Sequence, residues 1–425
     1  MSGSAKSHEL TFARLFALLR KISVINDSVL SVPRQYPHTQ NNCESSCFCC
    51  NNSEDERLSW YIANYVYPTS GEADSVSSAI NWDFQRKKYR LQHVARQVLD
   101  GGKWRVHDCC WKPVASSVTV NYAQEFKRAH YGGLATCGSV WVCPVCSVKI
   151  AARRGIELAE AVPASGLTPI LVTYTIQHKR YDLLDKLMTD LTSGIRYSLS
   201  GAAKKRFFEK FGIVGYVTSL EIRHGRSGWH PHKHRLFLSN KSPGELNSAE
   251  IEKSILSRYG RYLKKNSYRV NQHTVDIQVV QGESGAAVEK YMTKWSVELE
   301  LTGAALKTSR AAAKSRSPFQ LLDAYDSGDL DAGVLFIEYC ESTKGKRQLQ
   351  YSDGLRKFLG LGEQKSDEEV ASEQDEYARL MSMLTPSQWY RLRRQRGLIT
   401  ECLHVASFGD GQVLREFLRM RGVID

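Results

Sequence analysis

The stretch Glu221-Ile-Arg-His-Gly-Arg-Ser-Gly-Trp-His-Pro-His-Lys-His-Arg-Leu-Phe-Leu238 decides how the rest of the chain is read. Its second half, 229–238, alternates as a strand does, so residues two apart share a face. His230, His232 and His234 then stand in one row. Neutral imidazole is the commonest metal ligand among side chains, and two of them about 7 Å apart along a strand can close on one ion. Gly225 and Gly228 supply a turn that folds the strand 213–223 back alongside and brings Glu221 toward the same ion. Two imidazoles and one carboxylate, with positions left open, suit a divalent cation that also holds a phosphate. The competing reading is a histidine-rich edge strand without an ion.

A second stretch, Ser284-Gly-Ala-Ala-Val-Glu-Lys-Tyr-Met-Thr-Lys-Trp-Ser-Val-Glu-Leu-Glu300, reads as a helix. It opens on Ser-Gly, is rich in helix formers, and sets Ala287, Val288, Trp295 and Leu299 on one side. Tyr291 and Lys294 are three apart and therefore neighbours on the helix surface. A phenol is a poor nucleophile at its free pKa near 10, but a nearby cation or a polarised phosphate makes attack feasible. On its own the pair reads first as a core tyrosine beside a solvated lysine.

Together, His232-Lys-His234 and Tyr291 resemble the paired-histidine motif and the nucleophile of HUH endonucleases. One branch is matched in motif order, the plasmid-type rolling-circle replication initiators. The matching pieces are Cys137-Gly-Ser-Val-Trp-Val-Cys-Pro-Val-Cys146 with Lys149, Ile150 and Arg153, Leu171-Val-Thr-Tyr-Thr175, Gly228-Trp-His-Pro-His-Lys-His234, Lys290-Tyr-Met-Thr-Lys294, and Arg347-Gln-Leu-Gln-Tyr-Ser-Asp-Gly-Leu355. The resemblance runs from about 131 to about 361. It implies an enzyme that nicks and rejoins single-stranded DNA at a replication origin. Tyr291 is then the nucleophile of a 5′-phosphotyrosine intermediate, and Lys294 stabilises charge. Mg²⁺ or Mn²⁺ sits on His232, His234 and Glu221, with His230 as a further candidate. Origin duplex DNA, a host helicase and a host polymerase are the implied partners, and a homodimer is allowed. Two positions depart from the family: Lys233 stands where an apolar residue is usual, and Ala287 where some relatives carry a catalytic glutamate.

Bulk properties agree with a polyanionic partner. At 425 residues the chain has room for two or three domains, and its net charge of +13 favours nucleic acid or an anionic surface. No run of about eighteen apolar residues is present, so no membrane span is expected. The stripe 10–24 is interrupted by Arg14, Arg20 and Lys21 and is no secretory segment. Eleven cysteines without an export signal point to metal binding or free thiols in a reducing cytoplasm.

Cys143-Pro-Val-Cys146 is a CxxC knuckle with Cys137 six residues ahead, a zinc pattern that lacks one ligand. Cys110 is the favoured fourth, Cys109 the alternative, and His107 or His130 are in reserve. Cys43, Cys47, Cys49 and Cys50 fit no standard spacing and read as a Cys-rich flexible tract.

From 153 to 301 the periodicities give helix 147–162, strand 169–176, helix 181–199, strands 213–223 and 229–238, helix 247–262, strand 273–280 and the Tyr291 helix. This β-α-β-β-α-β order predicts an α+β fold, a ferredoxin-like antiparallel sheet with helices on one face. The expected organisation is an N-terminal appendage (1–80), a basic helix and zinc module (81–150), the HUH nuclease domain (151–301), a basic extension (302–361), and an acidic linker with a small helical C-terminal unit (362–425). Arg223, Lys233, Lys290, Lys307, Arg310, Lys314 and Arg316 are the expected DNA contacts, and 389–396 is a candidate duplex grip. A transposase or relaxase of the same superfamily, or a non-catalytic zinc-containing DNA-binding regulator, are the rival functions.

Overall fold

The computed structural model describes residues 74–100, 102–124, 128–280, 315–373, 378–395 and 397–425, with side chains from Trp82 onward. In chain order the elements are α1 (Asp74–Val98), β1 (Val118–Ala123), β2 (Arg128–Gly132), α2 (Pro144–Ala164), β3 (Thr168–Tyr174), α3 (Leu184–Ser198), α4 (Gly201–Phe211), β4 (Ile213–Gly225), β5 (Gly228–Ser239), α5 (Ser248–Lys265) and β6 (Val275–Val279). After the break come β7 (Ser315–Arg316), α6 (Pro318–Asp326), α7 (Leu330–Thr343), β8 (Leu349–Tyr351), α8 (Leu355–Phe358), α9 (Asp367–Ser372), β9 (Arg379–Leu384), α10 (Pro386–Arg394), α11 (Leu398–Ala406) and α12 (Gly411–Met420). The chain mixes helices with antiparallel sheets.

The larger sheet runs β6-β3-β5-β4-β7, with β8 also on β4. All of its pairings are antiparallel. The centre is the β4–β5 hairpin, closed where Gly225 pairs with Gly228 across two turn residues. Gly228 has φ +95°, and a Cβ there would lie 2.8 Å from the Lys179 and Arg180 carbonyls, so only glycine fits. Register then places Glu221 opposite His232, Ser219 opposite His234 and Arg223 opposite His230.

Alternation gives the sheet two different faces. Tyr174, Tyr216 and Phe237 share one, and helices cover it. The Phe207 ring of α4 lies 5.5 Å from Phe237, and the Tyr259 ring of α5 lies 5.5 Å from Tyr174. Trp229, fully buried, donates its indole N–H to Glu338 of α7 at 2.9 Å. Glu221, His232 and His234 are on the other face.

The smaller sheet, β2-β1-β9, lay outside the periodicity reading. It joins residues 118–132 to 379–384, so the segment expected to be purely helical begins with a strand. Val118, Val120, Leu384, Trp389, Leu392, Leu403 and Leu414 form its core with α10, α11 and α12. The acidic stretch expected as a linker carries α9 instead. Ser366 and Glu369 form its capping box, Arg154 of α2 pairs with Asp367, and the Lys149 ammonium donates to the Ala371 carbonyl at 2.8 Å.

Several cations of the basic stretch 82–105 have partners within the protein, while Arg86 is exposed and lies 5.6 Å from the Trp82 ring centre. Lys87 and Arg90 pair with Asp323, and Arg90 also with Asp326. Arg96 donates to the Val106 and Cys109 carbonyls and lies over the Trp111 ring at 5.0 Å. Lys87, Arg90 and Arg96 thus fasten α1 to its neighbours.

α3 packs tightly on α5 at Gly194, where a Cβ would come within 2.7 Å of the Tyr259 ring and 2.9 Å of Tyr262. Gly194→Ala therefore destabilises the protein by about 1–3 kcal/mol despite its better helix propensity. Urea denaturation checks this, and an alanine variant as stable as the parent would contradict the packing.

Candidate metal centre and cysteine cluster

Two groups of potential metal ligands form among the described residues. The first is Glu221, His232 and His234, whose ligand atoms all lie within 4.8 Å of one another. His234 is buried, and its Nε2 is 2.8 Å from Glu221 Oε2. The His232 Nδ1 stands 3.9 Å from the same oxygen. Cis ligands around an octahedral ion at about 2.1 Å are about 3 Å apart, so the trio needs only small adjustments to share one. Carboxylate and imidazole donors together suit Mg²⁺, Mn²⁺ and related cations.

The neighbours organise this trio. Thr173 lies directly opposite His234 on β3, and its hydroxyl is 3.0 Å from His234 Nδ1, which orients the ring. Arg223 approaches Glu221 Oε1 at 3.8 Å and donates to the Ser315 carbonyl at 3.0 Å. The Ser219 hydroxyl, cross-strand from His234, is buried without a hydrogen-bond partner. Burial alone would raise the Glu221 carboxyl, but hydrogen bonds and charge from His232 and His234 outweigh it and hold it far below the usual range.

His230 stands in the same row but does not join the trio. Its ring meets that of His178, centroids 3.8 Å apart. Burial, then the charges of His178, His232, His224 and Arg223, lower it to about 4, so it is a neutral ring at neutral pH. Sequence reading missed His178, which reaches the site from the loop after β3. Thr175, two residues beyond Thr173, turns away from the trio and donates to the His273 carbonyl at 2.8 Å.

Lys233, expected among the DNA contacts, follows strand alternation onto the helix-covered face, opposite Tyr174 and Leu220. It is half-buried, and burial followed by the charges of Arg235, Lys346 and Arg196 lowers it to about 8. Arg316 pairs with Asp329 at 2.6 Å and lies across from His224. Tyr291, Lys294, Lys290, Lys307, Arg310 and Lys314 fall outside the described residues, as does the Cys43–Cys50 tract. Of the candidate duplex grip, Trp389 and Leu392 are core, and Arg393 donates to the Trp111 carbonyl at 2.6 Å.

The second group is Cys109, Cys137, Cys143 and Cys146, all buried. Cys109, the alternative, occupies the place expected of Cys110. Its Sγ lies 3.7 Å from Cys143 and 3.5 Å from Cys146, and Cys137 lies 3.7 Å from Cys146. A tetrahedral zinc with thiolates at about 2.3 Å has ligand edges of about 3.8 Å, so the spacing fits. Consecutive side chains diverge, and Cys110, at φ +52°, approaches only Cys109 at 3.9 Å among the sulfur contacts. His107 is spent on the Leu99 carbonyl at 3.0 Å. Cys143 sits at the N-cap position of α2 and accepts from Gln92 at 3.2 Å. Burial alone would raise its thiol, but hydrogen bonds from Cys109, Cys137 and Cys146 hold it well below the usual range. Mutual hydrogen bonds, with Cys110 first, push the Cys109 thiol upward, and a metal would take these sulfurs as thiolates.

No family model matches the chain, and no solved structure does. A Streptomyces lividans protein named "Protein rep" is 26% identical over 355 residues, covering 66% of this chain and 76% of that protein. This chain is similar to a Rep protein. A Streptomyces cyanogenus "Neomycin resistance protein" is 31% identical over 135 residues, 25% of this chain and 31% of its own length. Among the described residues no helix is long and apolar enough to cross a membrane.

Two outcomes follow for these clusters. Cys109→Ser lowers metal content, read by plasma mass spectrometry, by about one equivalent per chain, whereas Cys110→Ser retains it; the reverse result would restore Cys110 as ligand. Glu221 has a depressed folded pKa, so its contribution to stability is present above the unfolded carboxylate pKa of about 4.3 and is lost as pH falls below it. Without added metal, the stability gap between the parent and Glu221→Gln is therefore open at pH 7 and closes in acid, by urea melts across pH. A gap that does not vary with pH would contradict the pairing.

Proposed function

We propose that this protein initiates rolling-circle replication by nicking and rejoining single-stranded DNA, as an enzyme of the HUH type. The observation that carries the reading is the convergence of Glu221, His232 and His234 on one face of the sheet. The strand order supports it: with β3, β4, β5 and β6 as first to fourth, the sequence across the sheet is fourth, first, third, second. That is the split βαβ order of ferredoxin-like sheets. Similarity to a protein named "Protein rep" points the same way.

A divalent ion on these three side chains would supply Lewis acidity toward a phosphate oxygen. The protein's own part follows from its residues. Glu221 brings the negative charge that retains a cation, and Thr173 fixes the His234 ring. Arg223, beside Glu221, adds positive charge next to the phosphate position. Tyr291 is the nucleophile in this reading. Its phenolate oxygen bonds to phosphorus as the bond to the 3′ oxygen breaks, and that oxygen takes up a proton to leave a free 3′-hydroxyl. The DNA 5′ end stays on the tyrosine, so the reverse reaction rejoins the strand, and the free 3′ end primes synthesis. Lys294, three residues further on, steadies the phenolate in this reading. The Cys109 cluster is a structural zinc site in the same reading, a staple for the segment that leads into β3.

The test uses the full chain, Mn²⁺ and single-stranded oligonucleotides tiling the DNA around its own coding sequence. One oligonucleotide gives a covalent adduct that survives denaturing electrophoresis, and Tyr291→Phe abolishes it. Binding without an adduct across the whole tiling would overturn the enzymatic reading.

A further inference from the structure

The loop that follows β3 is docked against the tip of the β4–β5 hairpin. The His178 ring nitrogen Nδ1 is 2.9 Å from the Ser227 carbonyl, and its ring meets His230. The close approach of the Lys179 and Arg180 carbonyls to Gly228 completes the contact. Beyond His178 the chain turns sharply. Asp182 N–H donates to the Lys179 carbonyl at 3.1 Å, and the Lys179 N–H donates to the Asp182 carboxylate at 2.7 Å. This closed four-residue turn projects Arg180 and Tyr181 from its two central positions.

Tyr181 is 85% exposed, a large ring held in solvent on a fastened turn. The Arg180 guanidinium lies 5.5 Å from the ring centre. Asp182, the loop's one carboxylate, accepts from the turn backbone, while the exposed Lys179 and Arg180 side chains add positive charge. His230 and Arg223 form the next cross-strand pair outward from His232 and Glu221, on the same face. Two arginines, Arg223 beside the metal-ligand trio and Arg180 on the turn, thus flank the His230–His178 ring contact, with the Tyr181 ring next to Arg180. A base-stacking surface with phosphate-binding groups spaced along a track is the arrangement that holds a single strand of nucleic acid.

We infer that this lip binds the single-stranded DNA flanking the scissile phosphate, with a nucleobase on Tyr181 and backbone phosphates on Arg180 and Arg223. The inference rests on the nicking reading for the identity of the strand. Aromatic stacking is sequence-tolerant, so the lip contributes affinity and positioning, and it does not by itself choose the origin.

Fluorescence anisotropy of the full chain with a labelled mixed-sequence single-stranded oligonucleotide tests the lip. Tyr181→Ala weakens binding about ten-fold and Tyr181→Phe leaves it unchanged, because the ring face is what matters. R180A lowers affinity and flattens the log–log salt dependence by about 0.7, the mark of one lost phosphate contact. Tyr181 is exposed, so equal thermal melts exclude misfolding as the cause. If the parent binds but Tyr181→Ala binds equally well, the lip is overturned. If the parent binds and loses affinity in Tyr181→Ala yet forms no adduct on any oligonucleotide, the lip stands and the nicking reading falls.

Discussion

The site depends on the register of one hairpin. Glu221 faces His232, and Ser219 faces His234, because β4 and β5 close at Gly225 and Gly228 across two residues. A slip of one residue would move His232 and His234 to the helix-covered face and bring Lys233 and Arg235 to the other. Burial opposes that slip. Trp229 is anchored to Glu338, Phe237 sits between Phe207 and Tyr216, and Arg235 bonds the Thr218 hydroxyl at 3.1 Å while lying 4.0 Å from the Tyr216 ring centre. The helix side of the sheet thus holds the register that the opposite face uses.

The cysteine cluster plays a comparable part for the chain ahead of that sheet. It ties the segment after α1, the extended stretch at Cys137 and the first turn of α2, and α2 leads directly into β3. Around it, Arg96, Lys149 and Arg154 are committed to internal partners. A chain with a net charge of +13 therefore uses part of that charge as fastening, and composition alone does not say where a polyanion binds.

What could be read from the sequence followed from periodicity. The row of His230, His232 and His234 and the turn that returns Glu221 were legible, because period-two alternation and glycine turns are local signals. The other helices and strands between 144 and 279 were legible for the same reason, except α4 (Gly201–Phe211), which the periodicity reading passed over between helix 181–199 and strand 213–223. The pairing of β9 with β1 was not, since it joins segments some 260 residues apart and β9 is short. The choice between Cys109 and Cys110 was beyond spacing arguments, because adjacent positions differ in direction, not in reach. α9 within the expected acidic linker was not legible, because what holds it is a tertiary contact, Asp367 with Arg154 of α2. His178 and Tyr181 gave no local signal, because their place beside the hairpin tip arises from a tertiary contact.

The central claim is that Glu221, His232 and His234 hold one divalent cation. The direct measurement is anomalous X-ray scattering from crystals of the full chain soaked in Mn²⁺, recorded at the manganese edge. The account predicts a single strong peak bonded to His232, His234 and Glu221, with positions left open toward Arg223. No peak there at saturating Mn²⁺, with Glu221 still hydrogen-bonded to His234, would contradict it.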